Sequence, residues 1–116
     1  MVIHRNEMKI EEIERMRDGE GKVHITHFLD GSTQKNARMF AEITLKPGCS
    51  IGYHRHDSET EYYFIVSGTG TVNDDGKEVA VKQGDSIITA DGASHGIKNT
   101  GSVPLVFHAV IVTYKS

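Results

Sequence analysis

Downstream of Gly21, apolar side chains alternate with polar ones or gather in short runs of β-branched and aromatic residues, and turn-forming residues keep every run short. This rhythm predicts strands over residues 23–29, 39–45, 62–66, 69–73, 78–81, 86–89 and 105–114. The separators are Asp30-Gly31-Ser32, Lys46-Pro47-Gly48, Ser67-Gly68, Asp74-Asp75-Gly76-Lys77, Gln83-Gly84-Asp85 and Asn99-Thr100-Gly101. Of these, Asp75-Gly76 lies between Thr71-Val72 and Val79-Ala80-Val81 and predicts a tight hairpin. Upstream, Ile10, Ile13 and Met16 stand at helical spacing within residues 8–16 before Asp18-Gly19-Glu20-Gly21 breaks the pattern, which predicts one short N-terminal helix. Many short strands and so little helix describe one all-β domain over residues 1–116, a closed antiparallel barrel or sandwich.

Two predicted strands do not alternate. Residues 62–66 and 105–112 are apolar on both faces, whereas a half-exposed antiparallel strand shows polar residues on its wet face. Something must cover the outer faces, and in a chain of 116 residues the expected cover is a second copy, a homodimer.

The candidate chemistry lies between the predicted strands. His54 and His56 are two residues apart, so on extended backbone they share a face, roughly 6.5–7 Å apart along the chain. Glu61 follows shortly after, and His95 stands between the glycines at 92 and 96. Neutral imidazoles suit Zn, Fe and Ni, and an added carboxylate admits Mn. Turned inward with no cation, these groups would be buried polar atoms lacking partners. The expected cofactor is one divalent ion (Mn, Fe, Zn or Ni) on His54, His56, Glu61 and His95, with positions left open for a bidentate oxygen ligand.

These residues carry a resemblance. Gly48, His54, His56, Glu61 and Gly68 resemble in full the first signature motif of the cupin superfamily, and Gly84, Gly92, His95 and Asn99 match the spacing of the second. Ala90 stands where that motif usually has proline, which loosens a turn and leaves the ligands untouched. The resemblance is to small single-domain, oxalate-decarboxylase-like members. It implies a six-stranded double-stranded β-helix (jelly-roll) barrel with His54, His56, Glu61 and His95 converging inside one end.

Around this set, Glu59 and Asp57 are candidates for an outer shell, and Glu59 is also a catalytic candidate. Tyr63 shares strand parity with Glu61 and should point inward, where its hydroxyl would be the second catalytic candidate. Ile65 and Ile97 should line the wall, and Asn99 should fix a turn. Arg38, Phe40 and Glu42 alternate with Met39, Ala41 and Ile43. If the polar set faced the cavity, Arg38 would be a carboxylate clamp; the apolar set is expected there, with Arg38 on the surface. His4, His24, His27 and His108 fit no ligand spacing, and Cys49 has no evident basic partner.

Composition narrows the partners. Sixteen acidic against 13 basic residues are scattered along the chain without a basic face, which argues against nucleic acid and anionic membranes. A single cysteine precludes an internal disulfide and fits a reducing cytoplasm; no targeting or membrane-spanning segment is evident. The function expected is metal-dependent binding of a small carboxylate, 2-oxo or 2-hydroxy acid, with decarboxylation, oxygenation or C–C or C–X cleavage to follow. The alternatives are sugar isomerase or epimerase chemistry and a non-enzymatic module that binds or senses a small anion.

Overall fold

A computed structural model describes residues 1–29 and 34–114, so the turn signal at residues 30–32 lies outside the described residues. In chain order the strands are β1 (Lys9–Glu14), β2 (Lys22–His27), β3 (Ala37–Leu45), β4 (Ser50–Arg55), β5 (Glu59–Ser67), β6 (Thr69–Asp74), β7 (Lys77–Lys82), β8 (Ser86–Thr89), β9 (Ser94–Lys98) and β10 (Leu105–Thr113). They form two antiparallel sheets, a larger one ordered β1-β2-β3-β10-β5-β8 and a smaller one ordered β4-β9-β6-β7. The expected architecture is present, but with ten strands among the described residues rather than six. No helix among them is long and apolar enough to cross a membrane.

The period-two pattern explains the packing. On β3, Ala41, Ile43 and Leu45 are buried, Glu42 and Thr44 between them are half-buried, and Arg38 and Phe40, on the same alternate face nearer the start of the strand, are exposed. On β10, Leu105, Phe107, Ala109 and Ile111 face inward and meet Ile65 and Tyr63 of β5, with the Tyr63 and Phe107 rings 4.6 Å apart. The Asp75-Gly76 turn closes the β6–β7 hairpin with both residues left-handed (φ 50° and 99°), and Asn73 Oδ1 accepts the Gly76 N–H at 2.8 Å. The expected turn-fixing role of Asn99 also holds: its Nδ2 donates to the carbonyls of Leu45 and Val103 at 2.8 Å, and its Oδ1 accepts from Gly101 N–H at 2.9 Å.

The N-terminal segment corrects the sequence reading. Residues 8–16 do not form a helix: β1 pairs with β2 from Lys9↔His27 to Glu14↔Lys22, and only single 3₁₀ turns occur, at Arg5–Glu7 and Met16–Asp18. A helix this short barely sustains itself in water, whereas the open edge of β2 offers a full ladder of backbone partners. Ile10 consequently points to solvent and Ile13 toward the sheet. Glu11 and Glu12 reach across to His27 (2.6 Å) and His24 (3.2 Å), which accounts for two of the histidines outside the ligand pattern.

The Met16–Asp18 turn lies directly on β4. A side chain at Gly52 would begin 1.9 Å from the Arg17 carbonyl oxygen, and one at Gly19 would begin 2.3 Å from that of Ser50, so the two backbones meet where only glycines permit it. The N-terminal segment thereby reaches the end of the barrel that carries His54.

Candidate metal centre

Three elements deliver four side chains to one point. His54 on β4 stands opposite His95 on β9 in the strand register; His56 follows just beyond β4, and Glu61 projects inward from β5. The three imidazole centroids are each 4.8 Å apart, with the rings edge to face at 65°, 67° and 84°. His56 Nε2 and His95 Nε2 are separated by 3.0 Å, and Glu61 Oε1 lies 3.1 Å from the first and 2.9 Å from the second. One ligand atom from each of the four residues falls within 4.8 Å of all the others. His56, Glu61 and His95 are buried, and His54 is partly exposed.

Hydrogen bonds behind the rings decide which nitrogen faces the centre. A carbonyl oxygen only accepts, so the 2.7 Å contact of His54 Nδ1 with Gly52 O places a proton on Nδ1 and leaves Nε2 bare. The Glu59 carboxylate does the same for His56 Nδ1. His95 Nδ1 meets the Thr89 hydroxyl at 2.7 Å. Glu59 is itself gripped by Arg38, whose Nε and Nη2 donate to its two oxygens at 2.7 and 2.8 Å. Bare imidazole nitrogens beside a carboxylate oxygen, all but His54 buried, repel one another unless a cation lies between them. The donor set therefore fits a divalent ion.

The ionisation of the groups agrees. Burial alone would raise the Glu61 carboxyl, but hydrogen bonds and charge from His56 and His95 bring it down to about 2, so it is anionic at any ordinary pH. Burial pushes His54 down to about 4, keeping it neutral. His56 is raised, first by its hydrogen bond to Glu61 and then, against burial, by Glu59. Tyr63 is raised well above its ordinary value by burial and by the adjoining Glu61 charge, so its hydroxyl stays protonated; its ring stacks on His95 at 4.9 Å and 23°.

Of the four, His54, His56 and Glu61 open onto a cavity of about 50 Å³ walled by Met39, Ile43, Ile51, Tyr63 and Ile111, with Arg17 and Arg38 also on its lining. The cupin domain model matches residues 41–112, more than half of the chain. The chain belongs to the cupin family. It is 44% identical over 113 residues to the oxalate-binding protein of Thermotoga maritima, covering 97% of this cupin and 93% of that protein. It superposes with a TM-score of 0.91 and 43% identity on the crystal structure of a predicted oxalate decarboxylase from Thermotoga maritima, covering 97% and 99% of the two chains. A putative sugar phosphate isomerase from Acidithiobacillus ferrooxidans, at 22% identity and a TM-score of 0.78 over 96% of this cupin and 74% of that chain, shares the fold.

Among the sequence candidates, the cupin barrel brings His54, His56, Glu61, His95, Tyr63 and Glu59 together. Asp57 stands apart, exposed and paired with Arg55 at 2.6 Å. Arg38 follows the outward face of its strand as expected, yet it reaches the cavity rim and finds its carboxylate in Glu59 of the same chain. Sequence reasoning missed Thr89 and Arg17. Neither carries a motif signal, since one supports a ring through space and the other arrives by the docking of a distant turn.

Two outcomes test the centre. Because His56 is raised while Glu61 and His54 are lowered, protons compete with an incoming divalent ion chiefly at His56, so binding releases protons and affinity declines as pH falls through the raised range of His56, above the ordinary histidine value. Calorimetry in buffers of different ionisation enthalpy measures this; no proton release and a flat affinity from pH 5 to 8 would contradict it. Glu59→Gln should weaken metal affinity about 10- to 100-fold with the barrel still folded, because the amide can present its NH₂ to His56 Nδ1 and release the tautomer. Unchanged affinity by competition against a chelator would remove Glu59 from this role.

Proposed function

We propose that this cupin holds one divalent ion on His54, His56, Glu61 and His95 and binds a small carboxylate, 2-oxo acid or 2-hydroxy acid at it as the first step of decarboxylation, oxygenation or bond cleavage. One observation carries the reading: two Nε2-bare imidazoles, a third ring and one carboxylate converge on one point, and His54, His56 and Glu61 of that set open onto a cavity of about 50 Å³. A divalent ion there, countered by Glu61 alone, keeps a positive excess that low dielectric magnifies, and it would act as a Lewis acid toward a chelating oxygen pair. The name of the oxalate-binding relative points to the same ligand chemistry.

The chain's own residues divide the work. Ile43, Ile51 and Ile111 exclude water from one side of the cavity. Tyr63, held protonated by burial and by the Glu61 charge, is a hydrogen-bond donor toward an anion in the cavity. Glu59 has its oxygens occupied by Arg38 and His56, so it acts through His56 as a positioning residue rather than by accepting a substrate proton. A space this small disfavours a hexose, which weighs against sugar isomerase chemistry. Calorimetric titration of Mn-loaded protein with oxalate, pyruvate, malate and a neutral hexose should give binding for the acids and none for the sugar; tighter hexose binding would reverse the reading.

We further propose that the outer face of the larger sheet pairs two copies. Tyr62, Phe64 and Ile88 are 44%, 48% and 60% exposed there, and with Val110 they border a shallow groove. Sedimentation velocity at micromolar concentration should return a species of twice the 12.8 kDa chain mass; a monomer would overturn the pairing.

A further inference from the structure

Two guanidinium groups border the cavity, and only one of them is spoken for. Arg38 has donated two branches of its fork to Glu59 at 2.7 and 2.8 Å. Arg17 has no carboxylate partner among the described residues. Its positive charge nonetheless bears on His54 and Tyr63, opposing protonation of the first and favouring ionisation of the second.

Arg17 reaches this place on backbone that side chains rarely adopt. It is left-handed at φ 55° and ψ 37°, and Arg15 and Asp18 on either side of Met16–Arg17 are left-handed too, at φ 53° and 62°. Such a conformation persists only where its surroundings hold it. Here Arg15 N–H donates to Gly21 O at 2.8 Å and Asp18 N–H to Arg15 O at 2.9 Å, and the Arg17 carbonyl rests against Gly52 so closely that no larger residue fits. Gly52 also supplies the carbonyl that orients His54. One glycine therefore couples the strained turn to the metal centre.

We propose that Arg17 determines specificity: its guanidinium takes the outward-facing carboxylate oxygens of a ligand whose inner oxygens chelate the ion, so that the site selects dicarboxylates over monocarboxylates. The inference rests on the proposed metal-dependent anion site and names its ligand class. Charge matching supports it. Arg38 and Glu59 cancel; the divalent ion, Glu61 and Arg17 leave an excess of two positive charges, which one dianion neutralises. A planar fork with free donors also matches a carboxylate in geometry, which a point charge does not.

The test compares oxalate with glycolate, which chelates through two oxygens but carries a single carboxylate. Mn-loaded wild type, Arg17→Gln and Arg17→Gly are titrated with each by calorimetry, after elemental analysis for manganese and a thermal melt. Glycine favours the left-handed backbone, so Arg17→Gly removes the charge while keeping the turn folded. Both variants should retain full metal, lose about 10-fold or more in oxalate affinity and change less than about 3-fold toward glycolate. Oxalate affinity unchanged in Arg17→Gly, or equal losses for both ligands, overturns the role of Arg17 while leaving the metal-dependent anion site standing. Wild type that carries metal and binds neither acid overturns that site and this inference together.

Discussion

Hydrogen bonds behind the imidazole rings govern the cupin's metal centre more than the bare presence of the rings does. His54 and His56 each give an Nδ1 proton to an acceptor outside the cavity, the Gly52 carbonyl and the Glu59 carboxylate, so their Nε2 lone pairs turn inward toward Glu61. Reversing either tautomer would set a lone pair against an oxygen behind the ring and a proton where the ion belongs. The inward arrangement is unfavourable without a cation, because imidazole lone pairs and a carboxylate oxygen then face one another with no positive charge between them.

Neighbouring acidic residues on β5 thereby acquire different work from their surroundings. Glu61 is buried, is held near 2 and presents an oxygen to the centre. Glu59, two positions earlier, is held down first by Arg38 and faces the back of His56. The Arg38–Glu59–His56 chain runs from the rim to the buried centre and cancels one positive charge on the way. Were Arg38 free, the cavity would offer a second guanidinium; its commitment to Glu59 is what leaves Arg17 as the unpaired one.

The barrel makes this possible because its two sheets curve over a continuous apolar core while one end is left to polar groups. Phe107, Ile65 and Ile43 pack without gaps of polarity, and Tyr63 sits at the boundary, its ring between Phe107 and His95 and its hydroxyl beside Glu61. Desolvation at that boundary strengthens every charge interaction in the centre, the benefit of placing it inside a small barrel rather than on a loop.

Local pattern alone was enough to recover the all-β class, seven of the strands, the Asp75-Gly76 hairpin and the four converging side chains, because strand parity and motif spacing are properties of the chain itself. It could not recover β4 and β9, whose Gly52, His54, His95 and Gly96 dilute any strand signal, nor β1, where Ile10, Ile13 and Met16 imitate a helix until the edge of β2 outcompetes it. Thr89 behind His95 and the choice of Arg38 rather than solvent as partner for Glu59 depend on how separate strands pack, whereas Glu59, an outer-shell candidate by its place beside the motif, lies three residues from His56. Arg17 is the clearest case: nothing in its neighbours marks it, and only the close contact of the Met16–Asp18 turn with Gly52 brings its charge to the cavity. Sequence specifies which faces are apolar and which atoms can bind a metal; the packing of distant backbones decides which of those atoms meet, since that depends on contacts no local periodicity encodes.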